Sequence, residues 1–261
     1  MGIVNVTPDS FSDGGQWLEA APAIAHGREL FAAGATLVDV GGESTRPGAE
    51  RVSELLERER TLPVVAALAR SGARVSIDTT KLGVAEAALA AGASYVNDVS
   101  AFRDDPGLAG LVADRRVDCC LMHMRGEPGT MQEAPRYGDV VDEVKAFLLE
   151  RVEFATGEGV GEKQIQLDPG IGFGKTGAHN LTLLQRLPEL VALGFPVVVG
   201  TSRKRFLGRL TGQEDPQRRL PATLATNVLA LAAGARVFRV HDVAEHVEAL
   251  TVAAATLRAH A

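Results

Sequence analysis

Short apolar runs rich in β-branched residues alternate along the chain with longer segments rich in alanine and leucine. The short runs have the length and composition of buried strands, and eight of them lie at 2–6, 36–40, 74–78, 94–98, 117–123, 164–168, 196–200 and 236–240. In the longer segments apolar residues recur at helical spacings, which predicts amphipathic helices, as at 20–35, 55–73 and 84–93. Gly-Ala pairs close several of these segments, as expected when a helix ends on glycine before the next strand, at 34–35, 72–73, 92–93 and 234–235.

This alternation predicts parallel strands joined by right-handed crossovers. Eight such units in 261 residues fit an α/β fold of the (β/α)8 TIM-barrel type. No shift in composition marks a second domain, so we expect a single domain over residues 1–261. A doubly wound open sheet is the alternative, and it is disfavoured because no G-x-G-x-x-G sequence follows the first strand.

The overall charge excludes some classes of partner. The net charge is −6 and the pI is about 5.6, so the chain has no basic field for nucleic acid or for an anionic membrane surface. No signal peptide and no apolar run long enough to span a membrane is visible. We therefore expect no nucleic-acid or membrane partner and a cytoplasmic location, and any anionic ligand has to be held by local cations.

The two cysteines, Cys119 and Cys120, are adjacent in an apolar run. Neighbouring residues of a strand point to opposite faces, so the two thiols are poorly placed to share a metal or to form a disulfide. We expect both to be buried and reduced, which suits a reducing compartment.

Polar residues and glycine occupy the carboxyl end of nearly every predicted strand, which is where TIM barrels carry their active sites. Polar residues also cap helices, but so complete a set on one rim predicts a shared ligand site. The strand-end residues are Asn5, Asp39, Asp78, Asn97, Asp98, Met122, His123, Asp168, Gly200, Ser202, Arg239 and His241.

Two acids and a carboxamide suggest the chemistry of the ligand. Asp78 and Asp168 can accept paired hydrogen bonds from an amino-pyrimidine edge, and Asn97 supplies both a donor and an acceptor. These residues predict a neutral heterocycle rich in N–H donors. A metal cluster is the competing interpretation of two aspartates, and it is weaker because no histidine stands at a helical spacing beside them.

Cations lie on other loops of the same rim. Arg46, Lys204, Arg239 and His241 occur among glycines and hydroxyl residues, a combination typical of phosphate or carboxylate sites. The loops after strands seven and eight are a frequent phosphate position in such barrels.

A magnesium ion is also predicted. Asn5 and Asp13 could supply oxygen ligands to Mg²⁺ that bridges a pyrophosphate. Lys175 and Arg205 are expected to be surface charges, and His123 could belong to either the core or the rim.

The sequence carries no signature of a nucleophile. There is no G-x-S-x-G elbow, and neither cysteine lies beside a cation that would activate it. The predicted site therefore binds a heterocycle and a pyrophosphate and assists departure of the pyrophosphate without covalent catalysis.

Eight motifs, in order along essentially the whole chain, resemble dihydropteroate synthases, the pterin-binding barrel enzymes of folate biosynthesis. They are NVTPDSFSDGG (5–15), GGESTRPGAE (41–50), VSIDTTK (75–81), YVNDVSA (95–101), LMHMRGEPGTMQ (121–132), LDPGIGFGKT (167–176), GTSRKRFLG (200–208) and RVHDV (239–243).

The resemblance implies condensation of 6-hydroxymethyl-7,8-dihydropterin pyrophosphate with p-aminobenzoate, by a dissociative mechanism that uses Mg²⁺ near Asn5 and Asp13. It also implies a homodimer. The catalytic residues that it implies are Asp78, Asp168, Lys204, Asp13 and Arg46. The substrate-binding residues that it implies are Asn97, Thr45, Met122, Phe173, Gly200, Ser202, Pro47, Arg239 and His241.

Three alternatives fit the motifs less well. A pterin-dependent methyltransferase shares the pterin residues but lacks the paired STRPG and SRK motifs, both of which are present. A non-catalytic pterin-binding paralogue would have lost Asp13, Arg46 and Lys204, which are also present. An aldolase would need a Schiff-base lysine on a strand, and no predicted strand contains one.

Overall fold

The structure, a computed structural model, describes residues 1–7, 20–44, 51–126 and 129–259. Its strands are β1 (Gly2–Asn5), β2 (Val38–Gly41), β3 (Val75–Asp78), β4 (Tyr95–Asp98), β5 (Asp118–Met122), β6 (Ile165–Asp168), β7 (Val198–Val199) and β8 (Val237–Phe238). Its α-helices are α1 (Ala20–Ala32), α2 (Glu54–Arg70), α3 (Leu82–Ala90), α4 (Gly107–Arg115), α5 (Val140–Gly157), α6 (Gly177–Gln185), α7 (Leu187–Val191), α8 (Arg205–Thr211), α9 (Leu220–Ala232) and α10 (Val243–Arg258).

The eight strands form a closed parallel barrel. Strands β1 to β6 pair in sequence order, and β7 pairs with β8. Parallel bridges between Leu167 and Val197 and between Gly2 and Val240 join the two sheets at both seams. Backbone bonds complete the second seam, since the Ile3 amide donates to the Val240 carbonyl at 3.0 Å. The predicted (β/α)8 fold is confirmed.

The predicted elements occur at the predicted places but are shorter. Strands β7 and β8 are two residues long, whereas each was predicted to be five residues long. The neighbouring residues Val197 and Val240 pair only through isolated bridges to other strands. The glycines of the four predicted Gly-Ala helix ends adopt the left-handed conformation, with φ from 84° to 111°. They confirm that these helices end on glycine, as the sequence predicts.

Alternate residues of each strand face the helices and the barrel interior. Cys119 packs in the large core between strands and helices, whereas Cys120 packs inside the barrel with Tyr95 and Val198. Both thiols are free and fully buried, as predicted. The Tyr95 hydroxyl donates to Gln166 Oε1 at 2.9 Å, and this bond links β4 to β6.

The same alternation turns residues at or next to the end of several strands inward at the carboxyl side of the barrel. The register aligns Asn5 with Gly41, Gly41 with Asp78, and Asp78 with Asn97. These positions therefore form one row around half of the rim. None of the helices in the described residues is both long and apolar enough to cross a lipid bilayer.

Candidate active site

An arginine bridges two aspartates at the centre of the rim. Arg239 Nε donates to Asp39 Oδ2 at 2.6 Å, and Arg239 Nη2 donates to Asp78 Oδ2 at 2.6 Å. Asp39 is fully buried and also accepts bonds from Ser76 Oγ at 2.6 Å and Asn97 Nδ2 at 3.1 Å. Asp39 thus fixes the orientation of both Arg239 and Asn97.

The sequence predicted Asp39 only as one of the strand-end residues, with no specific role in the site. Its importance comes from Arg239, which lies 200 positions later in the chain. Each aspartate pairs with one edge of the partly buried guanidinium, so removal of either one would leave Arg239 with a single carboxylate partner.

The environment of Asp78 brings its ionisation close to neutral pH. Burial raises the pKa of the Asp78 carboxyl to about 7, although the positive charge of Arg239 opposes the shift. The negative charge of Asp39 adds to the increase. A carboxylate with this pKa can bind either an N–H donor or a developing positive charge near neutral pH.

Asp168 and Lys204 lie close enough for each to influence the charge of the other. Burial raises the pKa of Asp168, and the ammonium of Lys204 opposes that increase. Burial likewise lowers the pKa of Lys204 to about 8, against the attraction of Asp168. Asp168 Oδ1 accepts from the Gly170 amide at 2.7 Å, and Lys204 Nζ donates to the Ile171 carbonyl.

Glycine at position 200 keeps the space between Arg239 and Asp168 open. A Cβ at Gly200 would lie 3.9 Å from Arg239 Cβ and 4.0 Å from Asp168 Oδ2. A larger side chain would extend from that point between the two residues, so Gly200 belongs to the wall of the site, as the resemblance implies.

An apolar surface borders these polar groups. Buried Val99, Met122, Met124 and Met131 pack together, and Phe173 packs against them. Of these five residues the sequence predicted only Met122 and Phe173. The other three lie in the segments after β4 and β5, and their meeting depends on how those segments fold. Methionine and phenylalanine present a polarisable surface that suits a flat heterocycle.

Phe173 also lies beside Lys204, with the ammonium nitrogen 4.6 Å from the ring centroid. The cation and the aromatic face therefore lie together at the edge of the apolar surface. The residues implied for the second substrate and for the heterocycle meet at this point.

A serine and a histidine join the loops after β7 and β8. Ser202 Oγ lies 2.8 Å from His241 Nδ1 and accepts from the His241 amide at 3.2 Å. In the same loops Arg203 Nε donates to Asp242 Oδ2 at 3.1 Å, an ion pair that sequence reasoning missed. These contacts place the hydroxyl and the imidazole beside Arg239, where a phosphate site was predicted.

Lys175 was expected at the surface, and that expectation is wrong. Lys175 is only 2% exposed, and its ammonium nitrogen lies 2.8 Å from Nδ1 of the buried His123. The side chain turns inward because carbonyl oxygens of two adjacent loops converge on its nitrogen. Arg205, expected to be a surface charge, is exposed.

Four predicted site residues, Asp13, Thr45, Arg46 and Pro47, lie outside the described residues. Asn5 is half-buried at the carboxyl end of β1. The described ranges contain no group of three or more His, Cys, Asp or Glu side chains arranged to hold a metal. A single carboxamide oxygen fits Mg²⁺ that arrives with a pyrophosphate, because this ion uses few protein oxygens together with phosphate and water.

Comparisons with known proteins agree with this geometry. A family model described as pterin binding enzyme matches residues 1–241. Dihydropteroate synthase from Mycobacterium leprae is 51% identical over 265 aligned residues, which cover 99% of this chain and 93% of that protein. The enzyme of the same name from Escherichia coli K12 is 46% identical, over 99% of this chain and 92% of its own.

Solved structures agree over the same length. Dihydropteroate synthase from Xanthomonas albilineans with 4-aminobenzoic acid has a TM-score of 0.92 and 50% identity, over 98% of this chain and 91% of that chain. A complex of the X. albilineans enzyme with 7,8-dihydropteroate has a TM-score of 0.88 and 47% identity, over 98% and 92%. Because the family match and these relatives span nearly the whole chain, it belongs to the dihydropteroate synthase family of pterin-binding enzymes.

Proposed function

We propose that this chain condenses 6-hydroxymethyl-7,8-dihydropterin pyrophosphate with p-aminobenzoate, giving 7,8-dihydropteroate and pyrophosphate. One observation carries the proposal: Asp78 and Asp168 lie on one rim with Asn97, each aspartate beside its own cation. Similarity to synthases solved with 4-aminobenzoic acid and with 7,8-dihydropteroate supports the choice of substrates.

The pterin edge is assigned to four polar side chains, Asp78, Asn97, Asp168 and Lys204. Asp168 accepts from the amino-pyrimidine N–H groups, and Asn97 offers its carboxamide oxygen because its nitrogen already donates to Asp39. Lys204 donates to the pterin carbonyl, and Met122 provides part of the apolar surface under the ring.

The reaction proceeds by departure of pyrophosphate before attack. The bond between the exocyclic carbon and the pyrophosphate oxygen breaks, and its electron pair leaves with the oxygen. The resulting cation is delocalised into the dihydropterin ring, where the carboxylates of Asp78 and Asp168 stabilise it. The arylamine nitrogen then forms the new carbon–nitrogen bond and gives up a proton. Neither aspartate forms a covalent intermediate.

The pyrophosphate is assigned to the side of the rim formed by β1, β7 and β8. Asn5, Arg239 and His241 hold it, and Thr45 is expected to contribute from outside the described residues. Arg239 uses two of its five N–H donors on aspartates, so its charge neutralises carboxylates and phosphate together. When bound, Mg²⁺ supplies charge neutralisation of the leaving group, with Asn5 and Asp13 as its protein ligands.

The p-aminobenzoate is assigned to the edge where Phe173 and Lys204 meet. The aromatic face of Phe173 packs against the arylamine ring, and Ser202 lies within the same loop as Lys204. Arg46 and Pro47 are expected to complete this pocket. Holding the amine beside the exocyclic carbon converts a bimolecular step into an intramolecular one.

A cytoplasmic homodimer is part of the proposal. Helices α9 and α10 pack against each other, and they carry exposed apolar side chains such as Leu229 and Val252. Apolar residues exposed on neighbouring helices support a protein–protein contact there. Light scattering of the purified protein should give twice the mass of one chain.

The activity test is incubation with the pterin pyrophosphate, p-aminobenzoate and Mg²⁺, followed by identification of the product by mass spectrometry. We expect 7,8-dihydropteroate to form only when the arylamine is present. Methyl transfer from a pterin to a corrinoid protein, with no dihydropteroate formed, would contradict the proposal and support the methyltransferase alternative.

A further inference from the structure

The buried ammonium of Lys175 sits where two loops touch. Its nitrogen lies 2.8 Å from His123 Nδ1 and donates to the carbonyls of Gly170 and Phe173, both at 3.0 Å. It also lies 3.3 Å from the His123 carbonyl. One side chain thus joins the loop after β5 to the loop after β6.

The two loops are in direct backbone contact around this cation. A Cβ added at Gly170 would overlap the carbonyl oxygen of His123, and one added at Gly174 would overlap the carbonyl oxygen of Arg125. Both glycines also have positive φ angles, of 65° and 62°. The carbonyl oxygens of His123, Gly170 and Phe173 all face the nitrogen of Lys175, which satisfies these acceptors where the two loops meet.

The loop held in this way presents three parts of the proposed site. Asp168 begins it and accepts from the amide of Gly170 at 2.7 Å. Lys204 donates to the carbonyl of Ile171 within it, and Phe173 places its ring 4.6 Å from the same ammonium. A shift of the loop would move both the Asp168 carboxylate, which is proposed to bind the pterin, and the Phe173 ring, which is proposed to contact the arylamine.

The charges around the cation are consistent with a fixed structural contact. Burial and the nearby charge of Lys175 lower the pKa of His123 to about 2. The imidazole is therefore neutral in the working range of pH, and its Nδ1 is available as an acceptor. Burial lowers the pKa of Lys175 well below its usual value, and the negative charge of Asp168 opposes the change. The four acceptor atoms around the nitrogen favour its protonated form.

We propose that Lys175 is a positioning residue of the synthase site: its ammonium clamps the loop after β6 against the loop after β5 and thereby fixes Asp168 and Phe173. The side chain itself is buried behind the loop and has no role in contact with substrate. This inference rests on the proposed function only for the identity of the ligands, because the clamp is a property of the loops.

The first test compares Lys175→Met with the matched control Lys163→Met. The control removes an exposed lysine from the short turn Glu162–Gln164, which directly precedes β6. Hydrogen exchange of the backbone amides is measured without substrate. We expect faster exchange across residues 168–176 in Lys175→Met, unchanged exchange in α3, and wild-type behaviour in Lys163→Met.

The second test measures pterin affinity and kinetics in the same variants. Lys175→Met should raise both the Kd of the pterin substrate and the KM of p-aminobenzoate at least tenfold. Lys175→Gln keeps a donor in the site and should recover part of the loss; it also serves if the methionine variant does not fold. In an Asp168→Asn background the effect of Lys175→Met on pterin affinity should shrink, because the clamp acts through Asp168.

Wild-type exchange in the loop together with wild-type pterin affinity in Lys175→Met would overturn the inference. This result is distinct from failure of the proposed function, in which the wild-type protein itself would form no dihydropteroate. Faster exchange in Lys175→Met, together with a wild-type chain that forms no dihydropteroate, would support the clamp and reject only the reaction.

Discussion

The pKa values of Asp78 and Lys204 lie close together, and they set the expected pH dependence of the enzyme. Burial raises the pKa of Asp78 to about 7 and lowers the pKa of Lys204 to about 8. The mechanism needs an anionic aspartate, which forms as the pH rises, and a cationic lysine, which is lost as the pH rises. The active form is therefore confined between the two values.

The kcat/KM for the pterin substrate should follow a bell-shaped curve with limbs near about pH 7 and about pH 8, because this ratio reports groups of the free enzyme. Asp78→Asn should lose the acid limb. Lys204→Arg should lose the alkaline limb, since a guanidinium stays charged. Initial rates across this range test the assignment, and an acid limb that persists in Asp78→Asn would remove Asp78 from it.

The sequence identified the charged residues of the rim but not their partners. Asp78, Asn97, Asp168 and Lys204 follow directly from the rule that barrel strands deliver the site at their carboxyl ends. The role of Asp39 depends on tertiary contacts, because its partners come from three other strands or strand ends. Nothing in the sequence around Asp39 distinguishes it from an aspartate that caps the following helix.

At the scale of elements, an ion-pair network joins the segment after β2 to helix α2 and to the segment after β3. Lys81 Nζ donates to Glu43 Oε2 at 2.6 Å and also to Glu57, a fully buried residue of α2. The same oxygen of Glu43 accepts from the Val52 amide at 2.9 Å. Lys81 thus neutralises two carboxylates, one of which has no access to water.

Lys81→Met should lower the free energy of unfolding by about 3–5 kcal/mol, because it leaves a buried carboxylate without its partner. Urea denaturation measures this change. The double variant Glu57→Leu/Lys81→Met should recover a large part of the loss, since it removes the buried charge as well. A single variant as stable as Lys163→Met would show that Glu57 does not depend on Lys81.

Element positions were predictable from periodicity, whereas element lengths were not. Apolar runs located all eight strands, and Gly-Ala pairs located four helix ends. The two-residue pairing of β7 with β8 reflects the geometry of barrel closure, which depends on strands distant in sequence. The burial of Lys175 has the same origin, because its acceptors belong to two separate loops.

At the scale of the whole molecule, the two thiols report on the integrity of the barrel. Cys119 lies in the outer core and Cys120 inside the barrel, and both are fully buried. Burial raises the pKa of each thiol, so neither forms a thiolate at neutral pH. Reaction of Cys120 with a thiol reagent therefore requires the barrel to open, and reaction of Cys119 requires the helices to separate from the strands.

The native protein should react with a thiol reagent on the timescale of unfolding, and both thiols should react rapidly in denaturing urea. The Cys119→Val variant should halve the amplitude in urea without accelerating the native reaction, since valine fits the apolar outer core. Colour release from an aromatic disulfide measures both quantities. Rapid labelling of Cys120 in the native Cys119→Val variant would contradict the closed barrel.

The fold class was predictable at this scale because eight strand–helix units admit few arrangements. The chemistry was predictable because the rim residues occur in motifs along the entire chain. The single-domain organisation, the magnesium ligands and the homodimer stay predictions.

The most direct measurement of the central claim is a single-turnover reaction of wild-type protein and Asp78→Asn with saturating pterin pyrophosphate and p-aminobenzoate. If Asp78 stabilises the pterin cation, its loss should slow dihydropteroate formation by about 10²–10³-fold. Asp78 is also expected to hold the pterin edge, so the Kd of the pterin substrate should rise as well, and saturating substrate keeps the measured rate a report on the chemical step. A single-turnover rate in Asp78→Asn equal to that of the wild-type protein would contradict the account.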